Sequence, residues 1–463
     1  MSLKTLVSYA LGPIGASLLG LITLPILTRL IVPDVYAQIA LAQITIQLLL
    51  FYALSGFDQA FMREYYEQEN KQKLFCHTYF MSLVLFSSII AIFYVFRDHI
   101  SAFLFGDYRP EVLAIIVITL LFTITLRYLQ LIMRLENKAM SYSLALFLQA
   151  LFNLLFIIIF VEILKVSSLI GVLLANGISV LIVTLGCWFK ARQNIAIFST
   201  THFDKVLFGQ LFKYAFPLLF STLLMWVLYS ADQYMLRWLS NYNELGIYAA
   251  AYKLCAALTI LQVIISTYWV PLSLKWHQAA VPTSQFNLAG KAATTLMIIV
   301  FLLSVALRDI VSLLLGEQFA LAVDIFPFLM LYPIFYALSE ISGVGINLSR
   351  KTSYMIYITL LSAIFNITIN LWLIPKLGAK GAAIATGATF ILYFYSRTIL
   401  ANRVWKKVAW AHYNIMVCLI VFILLFIDSA WIEWFCGVLA STLFIFLAVL
   451  YKIGKLEKIY MSN

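Results

Sequence analysis

The chain is written twice. Tyr9-Ala10-Leu11-Gly12-Pro13 is echoed by Tyr214-Ala215-Phe216-Pro217, and Arg29 by Arg237. Asn137-Lys138-Ala139-Met140-Ser141-Tyr142 returns as Ser349-Arg350-Lys351-Thr352-Ser353-Tyr354, and Phe152-Asn153 as Phe365-Asn366. Ile170-Gly171 with Ala175 and Gly177 returns as Lys380-Gly381 with Ala385 and Gly387. The offsets stay between 204 and 213 residues, so only small insertions separate the halves. One such match is weak, but five in the same order point to a duplicated unit. Duplication of a helical membrane unit is a mark of transporters, because two pseudo-equivalent bundles can rock about a site between them. Each half holds six apolar runs, an even number, so both halves enter the membrane from the same side and the repeat is parallel.

The runs themselves exclude a soluble domain. The chain is 63% hydrophobic and 11% charged, with a mean hydropathy of +0.98, far from globular averages. A run of about 20 apolar residues crosses ~30 Å of hydrocarbon. The pattern predicts helices over 5–28, 35–57, 74–96, 112–134, 141–161, 168–189, 209–238, 244–271, 291–307, 322–346, 353–374, 379–400, 409–427 and 431–452. The expected fold is therefore an all-α polytopic membrane protein with about 14 transmembrane helices. Its expected parts are a six-helix lobe over 1–200, a second over 201–405, and an additional helix pair with a cytoplasmic tail over 406–463. The first run exceeds the core of a signal peptide and is the repeat partner of the seventh helix, so it is read as a permanent span.

Orientation follows from the basic residues. With a cytoplasmic N-terminus, 21 of the 31 Lys and Arg fall in inside segments, 8 fall outside and 2 lie within helices. Both termini are thus expected in the cytoplasm. The +11 net charge then reports topology and contact with anionic lipid headgroups, and no nucleic-acid partner is expected.

Little suggests chemistry. The five cysteines lie in or beside apolar runs without C-x-x-C spacing, which gives neither a disulfide framework nor a zinc site. There is no Walker A sequence, no H-E-x-x-H and no D-x-D, so no enzyme activity, metal or cofactor is expected.

Two stretches carry a family resemblance. Leu24-Pro25-Ile26-Leu27-Thr28-Arg29 precedes Tyr36-Ala37, and Gly56-Phe57-Asp58-Gln59-Ala60-Phe61-Met62-Arg63-Glu64-Tyr65-Tyr66 follows. Together with Ala231-Asp232-Gln233, Leu245-Gly246-Ile247-Tyr248-Ala249-Ala250-Ala251-Tyr252-Lys253 and Gly381-Ala382-Ala383-Ile384-Ala385-Thr386, this resembles the Wzx-type flippases. These belong to the multidrug/oligosaccharidyl-lipid/polysaccharide exporter superfamily. Ala37 departs from the pattern, where glycine is commoner. The resemblance implies two lobes forming a V-shaped cavity that alternates in access. Its implied cargo is an undecaprenyl-diphosphate-linked oligosaccharide, moved to the periplasmic leaflet of the bacterial inner membrane. A coupling cation (proton or sodium), membrane lipids and other polysaccharide assembly proteins are the remaining implied partners. Two other functions stay open: a drug or small-cation antiporter of the same superfamily, and a polysaccharide polymerase or ligase. The loops are short for the last.

Charges within the spans name the candidate residues. A diphosphate cannot cross hydrocarbon bare, so a transporter must replace its hydration with cations around a wet cavity. Lys253 lies ~13 Å deep in the eighth helix, beyond comfortable snorkelling, and Arg127 lies ~10 Å deep in the fourth. Arg29 and Arg63, at helix ends, join them as headgroup contacts through the resemblance. Asp232, Glu340 and Asp58 are candidates for ion coupling or gating. The repeat register puts Glu340 opposite Tyr128, next to Arg127, so an Arg127–Glu340 pair is expected, and Lys253 is the expected partner of Asp232. Pro13, Pro25, Pro217, Pro327 and Pro333 each remove a helical hydrogen bond and favour bends.

Overall fold

The computed structural model describes residues 3–191, 204–256, 258–351, 353–406, 408–429 and 431–444. All regular structure among them is helical. The spans are α1 (Leu3–Leu30), α2 (Pro33–Leu54), α3 (Lys71–Val95), α4 (Pro110–Leu135), α5 (Ala139–Ile163), α6 (Ser168–Ala191) and α7 (Lys205–Leu239). They continue with α8 (Tyr242–Ala256, then Thr259–Gln278), α9 (Thr283–Ala306) and α10 (Ala322–Leu329, Leu331–Ser342, Val344–Leu348). The helix Ser353–Val404 leaves helical backbone at Gly378 (φ 53°, ψ −130°) and so makes two spans, α11 (353–377) and α12 (379–404). The shorter apolar helices α13 (Ala411–Leu425) and α14 (Trp431–Phe444) complete fourteen among the described residues. The chain is a polytopic membrane protein of two six-helix repeats with an added pair. The expected tail and the last turns of α14 lie outside the described residues, as does the 200/201 boundary.

Hydrocarbon offers no water, so polar side chains in the spans turn inward onto their own helices. Thr28, Thr45, Thr78, Thr184, Thr386 and Thr398 each donate to the carbonyl four residues back, at 2.7–3.0 Å.

The structure differs from the sequence expectation in several places. Three stretches read as loops contain helices: Phe57–Glu64, Arg97–Phe105 and Asp309–Leu314. Each buries apolar side chains, and a helix this short is averaged away by a 20-residue window. The last two follow the third span of each half, a structural echo of the duplication. α9 starts eight residues before the expected 291, so Lys291 lies within the helix and not at its start. α8 and α10 are broken where single helices were expected, α10 at Met330 and Gly343.

By contact the chain forms two compact units, Met1–Ala249 and Ala250–Asn463. α7 therefore groups with the first six helices. Its start is fastened to α3: Lys73 Nζ donates to Asp204 Oδ2 at 2.7 Å, and Asp204 N donates to His77 Nε2 at 2.8 Å. His77 Nδ1 in turn donates to the Lys73 carbonyl at 2.8 Å. Asp204 also caps α7, its Oδ1 accepting from Val206 N and Leu207 N. The far end of α7 is fastened as well. The Tyr234 hydroxyl meets Thr45 Oγ1 at 2.7 Å, and Arg237 Nε donates to the Phe103 carbonyl at 2.8 Å. In the second unit Arg308, just past α9, holds α14 through Glu433 Oε1 and the Ile427 carbonyl. At the other end Ala409 N donates to Asn287 Oδ1 at 3.0 Å.

The Asp204 carboxyl is held below the ordinary range, to about 2, chiefly by the hydrogen bond from Lys73, with the Leu207 and Val206 N–H groups adding to it. A carboxylate with a lowered folded pKa stabilises above its unfolded value and loses that contribution as pH falls through the folded one. Exchange protection of the Val206 and Leu207 amides should hold at pH 5 and collapse between about pH 4 and pH 2. The D204N variant should show no such step.

Candidate functional site

In the first unit the charges meet where α2 ends. Ser55 (φ 43°) and Gly56 (φ 81°) turn the chain through left-handed backbone, a conformation glycine takes without strain. A Cβ on Gly56 would stand 2.6 Å from the Ala215 carbonyl of α7. The turn starts the helix Phe57–Glu64, which Phe61 anchors edge-on against Tyr65, Phe75 and Tyr128 at centroid distances of 5.5–6.2 Å. Tyr128 donates to the Thr78 carbonyl at 3.0 Å and lies 2.9 Å from Ser82 Oγ. With both neighbours fixed, Arg127 Nε and Nη2 reach the same oxygen, Asp58 Oδ2, at 3.2 and 3.0 Å. Gln59 Nε2 adds a third, longer contact to Oδ2 at 3.3 Å.

Arg127 lies eight residues before the end of α4, ~12 Å along the axis. At 100° per residue it shares a stripe with the buried Ile116, Leu120 and Leu131, and Ile118, 55% exposed, is diametrically opposite. The guanidinium thus opens on the inner side of α4. Arg63, on the same short helix as Asp58, points elsewhere and stacks 4.5 Å over the Tyr214 ring. Arg29 is exposed in the last turn of α1. Asp232 is buried in α7 and accepts from the Tyr248 hydroxyl at 2.8 Å.

In the second unit Glu340 of α10 receives Arg397 Nη1 from α12 at 2.5 Å. The same nitrogen donates to Ser339 Oγ at 3.1 Å. Arg397 is 3% exposed in its side chain. It fits because Gly343 lacks a Cβ, which would otherwise stand 2.4 Å from Arg397 Cγ. Tyr336 and Tyr393 stack beside the pair at 5.7 Å. Lys253 lies eleven residues into α8, ~16 Å from its start, on the stripe of the buried Ala249 and Ala250. Among the described residues it makes no ion pair.

Two expected pairings are therefore replaced. Arg127 takes Asp58, Glu340 takes Arg397, and Asp232 takes Tyr248. The repeat register states equivalence, not contact, and a buried charge is answered by the nearest helix of its own bundle. Of the seven candidates, the structure brings Asp58 and Arg127 together. Arg397 is absent from the sequence candidates, although it stands seven residues inside α12; that depth is the available signal. Among the described residues no three His, Cys, Asp or Glu gather as a metal site.

A family profile described as "Polysaccharide biosynthesis protein" matches residues 2–277. The chain belongs to that family. A comparison with curated protein sequences returned no match. Among solved structures the fold is similar to that of the lipid II flippase MurJ in an inward closed conformation. That likeness has a TM-score of 0.75 at 14% identity and covers 96% of this chain and 99% of that one. It is also similar to an inward-facing multidrug resistance MATE family transporter of the MOP superfamily, with a TM-score of 0.55 at 16% identity, covering 87% and 96%. At these identities the likeness is one of fold.

In this polysaccharide biosynthesis family member the Glu340–Arg397 pair is the most enclosed of the ion pairs among the described residues. Removing one partner of a buried pair costs roughly 3–5 kcal/mol, whereas replacing both by apolar groups of similar volume is often neutral. Thermal unfolding should show a large loss for E340A and recovery in E340L/R397M.

Proposed function

We propose that the chain is a flippase for undecaprenyl-diphosphate-linked oligosaccharide repeat units. It would carry them from the cytoplasmic to the periplasmic leaflet of the bacterial inner membrane, with both termini cytoplasmic, for a surface polysaccharide such as O-antigen. Membership of the polysaccharide biosynthesis family and a fold similar to a lipid II flippase support this reading. The observation that carries it is Lys253, an ammonium deep in α8, on a buried stripe, with no ion pair among the described residues. An ammonium far from bulk water and without a carboxylate suits a path for anions. Arg127 adds a second inward cation, and Arg63 and Arg29 would meet the headgroup at the helix ends. Two lobes would alternate in access, with Asp232, Asp58 and Glu340 as the groups able to couple proton or sodium movement to the cycle.

The fold shared with a multidrug resistance transporter favours a second reading, export of a small cation or drug. Asp232, a buried carboxylate, would serve that cargo, but Lys253 and Arg127 would repel it.

Two measurements test the proposal. K253A should abolish surface polysaccharide while protein level and membrane insertion stay normal, and K253R should keep part of the activity. Full export by K253A would remove the residue from the cargo path. With Cys76 and Cys418 replaced by serine, a cysteine at Asn241 should react with an impermeant thiol reagent from the periplasm, and one at Glu69 should not. Labelling of the Glu69 position in intact cells would overturn the orientation.

A further inference from the structure

The Asp58–Arg127 pair carries an inference that rests on the flippase reading and deepens it. We propose that Asp58 is an exchangeable counter-ion, which holds Arg127 until the phosphate oxyanion of the cargo displaces it.

The geometry of the pair is that of a temporary partner. Both donating nitrogens fall on one carboxylate oxygen, Oδ2, so the side-by-side fork of a guanidinium with two acceptor oxygens is not made. Nη1 has no hydrogen bond among the described residues. The two side chains also differ in freedom: Asp58 is 7% exposed and Arg127 39%. Asp58 sits on a helix pinned by the Phe61 aromatic cluster, and its short side chain cannot follow a departing partner. Arg127 can swing on its own long stem, toward the inner side of α4. The carboxylate left behind is not stranded, because Gln59 Nε2 already lies 3.3 Å from Oδ2. A bared buried acceptor would resist the exchange; a prepared amide donor eases it.

The contrast with Arg397 sharpens the argument. That guanidinium is almost fully enclosed, hydrogen-bonded to both Glu340 and Ser339, and held where Gly343 makes room. Its Nε is unbonded as well but buried, so it has neither an exposed edge nor space to turn. Arg127 has both, and a phosphate presents two or more oxygens to a planar fork at once, which a single carboxylate oxygen does not. The shared chemistry, a phosphate oxyanion on a lipid, could come from the diphosphate of the cargo or from bulk anionic headgroups, and we assign the first.

The test is binding of farnesyl diphosphate to the full-length protein in nanodiscs of phosphatidylcholine, alone and with phosphatidylglycerol added. The D58N variant removes the competing charge with little change of shape. Its affinity should rise about tenfold over wild type, equivalent to about 1.4 kcal/mol. D58N/R127Q, a neutral pair of similar size, should bind more weakly than wild type. R127K, which keeps the charge and loses the fork, should also bind more weakly, and thermal unfolding should show that each variant is folded. A gain in D58N that survives phosphatidylglycerol supports the diphosphate as the displacing ligand; a gain that vanishes would place bulk headgroups there and overturn the assignment. Wild-type binding with no change in D58N would overturn the counter-ion while leaving the flippase reading standing. No binding by any variant would overturn both.

Discussion

A charge inside hydrocarbon has no water to answer it, and the fold is organised by how each one is answered. Solvation lost by a buried ion amounts to several kcal/mol even after relaxation. Three of these charges meet a counter-charge or a hydrogen-bond donor on a neighbouring helix of the same unit. Arg397 meets Glu340, Arg127 meets Asp58, and Asp232 meets the Tyr248 hydroxyl. At helix ends the answer is the free carbonyls of the last turn, as where Arg237 bonds Phe103 at the close of a short helix. The helices pack as they do partly because these contacts cannot be left unmade.

These answers are not of one strength. The Arg397 pair is enclosed, and its loss belongs to stability. Arg127 keeps an open edge and Lys253 makes no ion pair among the described residues. Charges that are fully enclosed can hold a bundle together but cannot respond to a ligand. Charges that keep an exposed edge, as Arg127 does, can respond. Two such cations on inner stripes, in a chain of the polysaccharide biosynthesis family, fit an anionic cargo better than a cationic one.

Much of the architecture was legible because hydrophobic length and repetition are local, additive signals. Fourteen spans, the parallel duplication and the extra pair could be read from runs and offsets alone. The breaks in α8 and α10 and the short amphipathic helices escaped, since each depends on where a neighbouring helix runs. The site was legible in part. The depth of Arg127 and Lys253 marked them, and Asp58 stood out in the Gly56–Tyr66 stretch. The pairings were not legible: register relates Arg127 to Glu340, but the side chains bond to whatever their own bundle supplies. Arg397 escaped because a basic residue near a helix end looks like a loop charge until the helix Ser353–Val404 is seen to carry it a further two turns.

The duplication kept the position and changed the sign. The fourth helix of the first half presents a cation, Arg127, and the fourth helix of the second half presents an acid, Glu340, one residue away in register. Each is neutralised inside its own unit, by Asp58 and by Arg397. An unneutralised charge carried through the membrane potential would cost ~2.3 kcal/mol per 100 mV, a burden that a neutral pair removes. The difference in sign then sets the difference in role. Where the accessible member is the cation, an anion can compete for it, and where the cation is enclosed, nothing can. In one unit the pair is a lock. In the other, on the proposed reading, it is a place that a phosphate can enter.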